Sequence, residues 1–245
     1  MNQTTNSQKL REYKKSLKLT QEQREALFGI LLGDGHLETR DCGRTYRLLI
    51  EQTSKNERYI QHLYELFKPW VLEPPKTKKR NAGVNIFFRT LSHPAFRFYG
   101  QLLYPRNAPT ETTFPKIIPK NIHKYFSDRA LAYWYMDDGA RKGANRSGKR
   151  IHTEGFEEYQ VRELCQALNL YGVETTVQKQ KRRPFSKKRN LESRDPVYNQ
   201  DSEQAKGPRE GYTNNYYILY ITARGDRVFT EKVQPYILPF FTYKL

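Results

Sequence analysis

Apolar residues in this chain change their period several times, and the changes run through the same order twice. Residues 26–32 are apolar almost all round, which predicts a helix buried on most sides. Thr20-Gln21-Glu22-Gln23 precedes them with capping-box spacing, so the helix should begin near Thr20 and stop at Gly33-Asp34-Gly35. Residues 45–51 predict a strand. Residues 56–70 predict an amphipathic helix with Tyr59, Leu63, Leu66 and Phe67 at helical spacing. Pro74-Pro75 and Asn81-Ala82-Gly83 punctuate a β segment, residues 84–89 predict a strand, and residues 94–104 a helix. The order then returns. Ser127 is placed as an N-cap, residues 131–136 are apolar, and Asp137-Asp138-Gly139 closes the run. A strand at 149–153 and an amphipathic helix at 157–170, carrying Val161, Leu164, Cys165 and Leu168, follow. Strands at 173–179 and 216–222 and a helix at 226–236 complete the second pass.

Both stretches read helix, strands, helix, strands, helix, and Asp34 and Asp138 set the repeat at 104 residues. Neither half alone can bury a first helix that is apolar on nearly every side. The simplest solution packs the two helices against each other. Gly29 and Gly33, four residues apart on one face, would let their backbones approach. The expected organisation is an N-terminal extension over 1–19, a first half over 20–126 and a second half over 127–245. Residues 179–215 depart from the repeat. They hold ten Lys/Arg against five acids, with Pro184, Pro196 and Pro208, and read as a long basic loop between two strands. It is either a segment that orders on nucleic acid or a solvated insertion.

Composition narrows the partners. The 245 residues are 37% hydrophobic and 13% aromatic, which supports a packed interior. No run is long enough to span a bilayer. Residues 1–10 are polar, without the apolar stretch of a secretory signal and without the arginine content of a transit peptide. Cys42 and Cys165 form no CxxC pair or Cys/His cluster, which argues against structural zinc and for a reducing compartment. Lys and Arg number 43 against 26 acids, a net charge of +17. Such a surface attracts polyanions, and counterion release makes nucleic acid the first candidate. An anionic membrane would call for a basic amphipathic helix or a lipid signal, and neither is present. No GxxxxGK[ST] supports ATP use. His36, His62, His93, His123 and His152 lack metal-ligand spacing and read as satisfied or exposed side chains.

Asp34 and Asp138 are the residues that structure alone does not explain. Each closes a buried helix, where a carboxylate meets the negative end of the helix dipole. Gly35 and Gly139 fit the left-handed position after a helix; the aspartates have no such account. If the two helices pack in parallel, symmetry brings both carboxylates to one place. Adjacent anions are costly without cations. Hard divalent ions suit them, and magnesium takes few protein carboxylates with the rest water and phosphate. Beside a basic surface, that arrangement suits two-metal phosphodiester hydrolysis.

Leu27-Phe28-Gly29-Ile30-Leu31-Leu32-Gly33-Asp34-Gly35 and Leu131-Ala132-Tyr133-Trp134-Tyr135-Met136-Asp137-Asp138-Gly139 resemble the two signature nonapeptides of single-chain LAGLIDADG homing endonucleases. The likeness runs from about Tyr13 to the C-terminus, through Trp70-Val71-Leu72, Lys116-Ile117-Ile118-Pro119 and Pro235-Tyr236-Ile237-Leu238-Pro239. It implies an α+β fold of two pseudo-symmetric αββαββα halves, with paired central helices and saddle-shaped antiparallel sheets over double-stranded DNA. It implies that Asp34 and Asp138, the eighth motif residues, bind the metals. Gly33 and Asp137, the seventh, join the metal site, Asp137 as a neighbour rather than a ligand. The implied cofactor is Mg2+, two or three ions, with Mn2+ as a substitute and Ca2+ binding without cleavage. Lys116 and Lys244 match lysines that polarise water or neutralise phosphate; an ordinary surface role has equal standing for each. Gln52 and Glu154, after the first long strand of each half, are candidates to order solvent.

Two departures from the family pattern stand out. Tyr133 and Asp137 occupy the third and seventh places of the second motif, where small residues are usual, so close packing should rest on the first motif. Only Leu245 follows Lys244, so no further tail in this sequence supports that lysine. Candidate outward strand residues for a major groove are Arg40, Arg44, Arg47, Lys76, Lys78, Arg80, Arg89, Lys149, Arg150 and Lys179. The expected activity is a double-strand break in a long asymmetric site with short 3′ overhangs, by an organellar monomer without membrane contact. The rival readings are an RNA maturase acting on its host intron RNA and a transcription regulator on the same fold.

Overall fold

The computed structural model describes residues 2–80, 83–104, 116–143, 148–181 and 215–245. After α1 (Asn2–Ser16), the first half runs α2 (Gln21–Leu32), β1 (His36–Glu38), β2 (Arg47–Thr53), α3 (Glu57–Phe67), β3 (Lys76–Arg80), β4 (Gly83–Arg89) and α4 (Arg97–Leu103). The second runs α5 (Asp128–Asp138), β5 (Gly139–Arg141), β6 (Lys149–Ile151), α6 (Glu158–Leu170), β7 (Thr175–Lys181), β8 (Asn215–Ile221) and α7 (Ala223–Val233). Each half builds an antiparallel sheet of the same topology, β1-β2-β4-β3 and β5-β6-β8-β7. The α+β architecture with two pseudo-repeated halves is therefore present.

The caps act as the sequence predicts. Thr20 Oγ1 accepts from the Gln23 amide at 3.1 Å, and Gln23 Oε1 accepts from the Thr20 amide at 3.0 Å. Ser127 Oγ accepts from the Ala130 amide at 3.1 Å. Helices α2 and α5 pack against each other in parallel and in register. Gly29 lies against Ala130 and Tyr133, and Gly33, one turn on, lies against Asp137. A Cβ at Gly29 would run into the Ala130 carbonyl, so the backbones touch where side chains would normally stand. At the N-terminal ends Arg129 pairs with Glu22 and, at 3.5 Å, with Glu25. One apolar core includes both helices and the inner faces of both sheets. Leu27, Leu31, Leu131 and Trp134 are fully enclosed in it, each burial stabilising by roughly 1.5–3 kcal/mol.

Several expectations need correction. Strands β1 and β5 span three residues each, too few for alternation to register. The N-terminal extension contains α1, polar all round and held from outside: Tyr13 Oη donates to the Pro69 carbonyl at 2.7 Å, and His93 Nε2 lies 2.9 Å from the Lys14 carbonyl. The helix expected at 226–236 begins at Ala223, because Thr222 caps it. Gly35 and Gly139 are not left-handed. Gly139 has φ −81°, and among the described residues positive φ falls only at Cys42, Gly43, Gly83, Gly148 and Gly172. What Gly139 supplies is space, since a Cβ there would strike the ring and carbonyl of Tyr135. Of the expected basic loop, residues 179–181 belong to β7 and residue 215 to β8; residues 182–214 lie outside the described residues. No helix among the described residues is long and apolar enough to cross a membrane.

Candidate active site

The parallel helix pair delivers acidic side chains to one place. Asp138 is the last residue of α5, and Asp34 follows Gly33, the C-cap of α2. Burial first, and then the charges of Asp34 and Asp137, push the Asp138 carboxyl well above the usual carboxylate range, against the pull of Lys116. The charge of Asp34 is thus felt at Asp138, and the in-register helix pair, with Asp137 Oδ2 accepting from the Asp34 amide at 3.2 Å, brings the two motif ends together. Neither Asp34 nor Asp138 forms an ion pair within 4 Å among the described residues.

Four further predicted residues arrive at the same place. Gln52, at the end of β2 on the sheet's inner side, donates from Nε2 to Asp34 Oδ2 at 2.6 Å, and Asn56 Nδ2 holds Gln52 Oε1 at 2.9 Å. Glu154 follows β6 near Asp138 and accepts from His152 Nδ1 at 2.7 Å. Lys116 Nζ donates to the Gly33 carbonyl at 2.5 Å. Lys244 Nζ donates to the Met136 carbonyl at 2.6 Å and lies 3.4 Å from the Asp137 carbonyl. Burial lowers the pKa of both lysines below the ordinary ammonium value, while the aspartates pull it back. Lys244 does not lack support: Tyr135 Oη donates to its carbonyl at 2.7 Å, and its ammonium lies 5.1 Å from the Phe241 ring centre. The two lysines occupy equivalent places, each bonded to the backbone at the end of a motif helix.

This donor set fits a hard divalent cation. Two convergent carboxylates without a neutralising ion pair, next to backbone carbonyls, match oxygen-only coordination completed by water or phosphate. Asp34, Asp138 and the carbonyls of Gly33 and Asp137 are the atoms that could hold it. The Asp137 carboxyl is turned elsewhere. Its Oδ2 accepts from the Asp34 amide at 3.2 Å, and its Oδ1 is sealed from solvent without a hydrogen-bond partner among the described residues.

Strand pairing sorts the predicted outward residues. Arg47 pairs with Glu38, Arg89 with Leu49, Lys76 with Phe87, Lys78 with Asn85 and Arg80 with Gly83, which puts all five cations on one face of the first sheet. That face is opposite the buried Leu48, Ile50, Ile86 and Phe88. Arg40 and Arg44 are exposed on the β1–β2 loop, and Arg150 is exposed on β6. Two residues fail. Lys149 points inward: its side chain is 3% exposed and its ammonium is bonded to Asp226 and, at 2.9 Å, to Thr230 Oγ1. Lys179 pairs with Tyr217 and so shares the helix-side face with Val177 and Leu219, not the face of Arg150. Alternation along β6 and β7 decides both, and the sequence alone does not reveal its phase.

Sequence reading missed His152, Asn56 and Tyr59 as members of the site. His152 also donates its amide to the Asp138 carbonyl at 2.9 Å. Its position two residues before Glu154 was the available signal. The other histidines meet local needs: His62 Nε2 lies 2.7 Å from Tyr133 Oη, and His93 caps the turn at Ala95.

Comparison with known proteins adds a family. The model of the LAGLIDADG DNA endonuclease family matches residues 24–190. The DNA endonuclease I-ChuI of Chlamydomonas applanata is 35% identical over 173 residues, 66% of this chain and 79% of that protein. Cytochrome b mRNA maturase bI2 of Saccharomyces cerevisiae is 26% identical over 89% of this chain and 46% of its own length. Among solved structures, the homing endonuclease I-WcaI bound to its DNA recognition sequence superposes with a TM-score of 0.72 at 26% identity, covering 96% of this chain and 91% of that one.

Proposed function

Since this chain belongs to the LAGLIDADG DNA endonuclease family, we propose that it makes a site-specific double-strand break in a long, asymmetric DNA target, by metal-dependent phosphodiester hydrolysis that initiates mobility of its host intron. The observation that carries this reading is the in-register helix pair that ends in Asp34 and Asp138, neither of them in an ion pair within 4 Å among the described residues.

Mg2+, as two or three ions with Mn2+ as a substitute and Ca2+ as a non-cleaving analogue, would supply an acidified water and charge neutralisation at the leaving oxygen. Asp34 and Asp138 hold the metal, with the carbonyls of Gly33 and Asp137 beside them. Gln52 fixes the rotamer of Asp34. Lys116 and Lys244 keep positive charge next to the scissile phosphates, and Glu154 with His152 orders solvent on the Asp138 side. Arg40, Arg44, Arg47, Lys76, Lys78, Arg80, Arg89 and Arg150 form the interface with double-stranded DNA. Both halves reside in one chain, so the protein acts as a monomer, in an organelle that carries the intron.

Asp34→Asn or Asp138→Asn should abolish double-strand cleavage of a randomised duplex library in Mg2+ while leaving duplex binding in Ca2+ intact. If both variants cut at the wild-type rate, the assigned site is wrong. A second reading, an RNA maturase acting on intron RNA, is favoured by the likeness to the yeast cytochrome b maturase. Intron splicing that survives the doubly substituted protein, with no DNA cut by the wild type, would select it.

A further inference from the structure

The seventh positions of the two motifs, Gly33 and Asp137, are matched in register and opposite in size. A Cβ at Gly33 would collide with Oδ2 and Cβ of Asp137, so the Asp137 side chain fills the space that Gly33 leaves open. From there Oδ2 accepts from the Asp34 amide at 3.2 Å. The neighbouring amides are used by the helix end, Gly33 to the Gly29 carbonyl and Gly35 to the Ile30 carbonyl. The Asp34 amide has no other hydrogen-bond partner among the described residues. Asp138 has no such need, because it is still within α5 and its carbonyl is held by the His152 amide. Asp34 lies beyond its helix and must be anchored from outside.

Where Asp137 points is equally informative. A carboxylate that ligates a cation exposes its oxygens to the site, but Asp137 Oδ1 is sealed and faces inward, toward the Tyr59 hydroxyl, which is also sealed; neither atom meets hydrogen-bond geometry with a partner among the described residues. The Tyr59 hydroxyl and the Asp137 carboxyl are neighbours.

We propose that Asp137 is a positioning residue: its carboxyl crosses the helix pair through the gap at Gly33 and fixes the main chain of Asp34, so that the Asp34 carboxylate meets Asp138. The proposal rests on the endonuclease reading, and its test separates the two. Asp137→Asn keeps a carbonyl oxygen for the Asp34 amide and adds a donor toward Tyr59, but forfeits the charge. It should cleave the target within about threefold of wild type, because the anchor survives. Asp137→Ala should lose on the order of 100-fold, the cost of a displaced catalytic group, with duplex affinity in Ca2+ unchanged. In the metal-free protein, hydrogen exchange at the Asp34 amide should quicken in Asp137→Ala and stay at the wild-type rate in Asp137→Asn. An Asp137→Asn protein that folds and binds DNA yet is as inactive as Asp138→Asn would overturn the proposal in favour of direct ligation. So would an Asp137→Ala protein with wild-type cleavage. If Asp34→Asn and Asp138→Asn cleave normally, the endonuclease site itself is misplaced, a separate failure. Should Asp137→Ala not fold, Asp137→Asn alone still decides.

Discussion

On the first sheet, Arg47, Lys76, Lys78, Arg80 and Arg89 share the outward face with Glu38 and Glu51. On the second, the corresponding face carries Thr176, Gln178, Gln180, Tyr216 and Tyr220, with Arg150 its cation among the paired described residues and Lys142 reaching Tyr220 from the flanking turn at 2.7 Å. The strand orders are identical. Repetition has therefore preserved the backbone and strand order, and has left the outer faces free to diverge. The charged face is also internally tied. Glu51 holds Arg80 through two bonds of 2.8 Å, and Glu38 holds Arg47 at 2.6 Å. Such carboxylates orient long cationic side chains before any partner arrives, whereas amides and hydroxyls on the second sheet carry no field to be screened.

The largest effect should ignore this difference altogether. Asp34→Asn and Asp138→Asn should each reduce linearisation of a target plasmid by at least about a thousandfold, since the proposed two-metal site needs both carboxylates. Loss from only one half would show that the chemistry, too, has diverged. Next in size is the cation that looks like a surface residue but is not. Lys149→Met should cost about 2–3 kcal/mol in denaturant unfolding, because the part-buried Asp226 loses its cation and keeps only the Gly148 amide and the Thr230 hydroxyl. Arg47→Met, which opens a partly exposed pair, should cost no more than about 1 kcal/mol.

The same pair fixes an acid limb. Burial pulls the Asp226 carboxyl upward, but the Lys149 ammonium and the Gly148 amide together hold it below the ordinary carboxylate value. A folded pKa that is depressed gives stability at pH above the unfolded value of about 3.9 and loses it as pH falls through the folded one. Melting temperature should therefore drop below about pH 4, and Lys149→Met should flatten that drop. The smallest effects separate the outer faces. Arg80→Ala should lower the salt slope of duplex binding by about 1, while Gln178→Ala should leave the slope unchanged and relax base preference by about 1–3 kcal/mol at one position.

Most of the frame was legible because its signals are local. Thr20 and Ser127 announce helix starts, the two apolar runs announce buried helices, and equal spacing announces a repeat that places Asp34 opposite Asp138. Gln52, Lys116 and Lys244 became candidates only through the family resemblance, since the repeat spacing does not mark them. What escaped depends on partners distant in sequence. Lys149 and Lys179 were assigned outward because β6 and the end of β7 give no apolar alternation from which to read the phase. Asp137 read as a bystander because its role comes from a vacancy on another helix, 104 residues away at Gly33. The helix α1 has no apolar stripe and is fixed by single bonds to Pro69 and His93.

The backbone contact at Gly29 limits how such a protein can be rebuilt. Any side chain there must push α2 away from Ala130, and that movement is carried along the axis to the aspartates at the far end. Target preference can be exchanged sheet by sheet, but the cutting geometry belongs to the matched helix pair. Halves recombined from different chains should inherit each parent's DNA preference, while their catalytic competence depends on whether the new junction lets the two backbones meet.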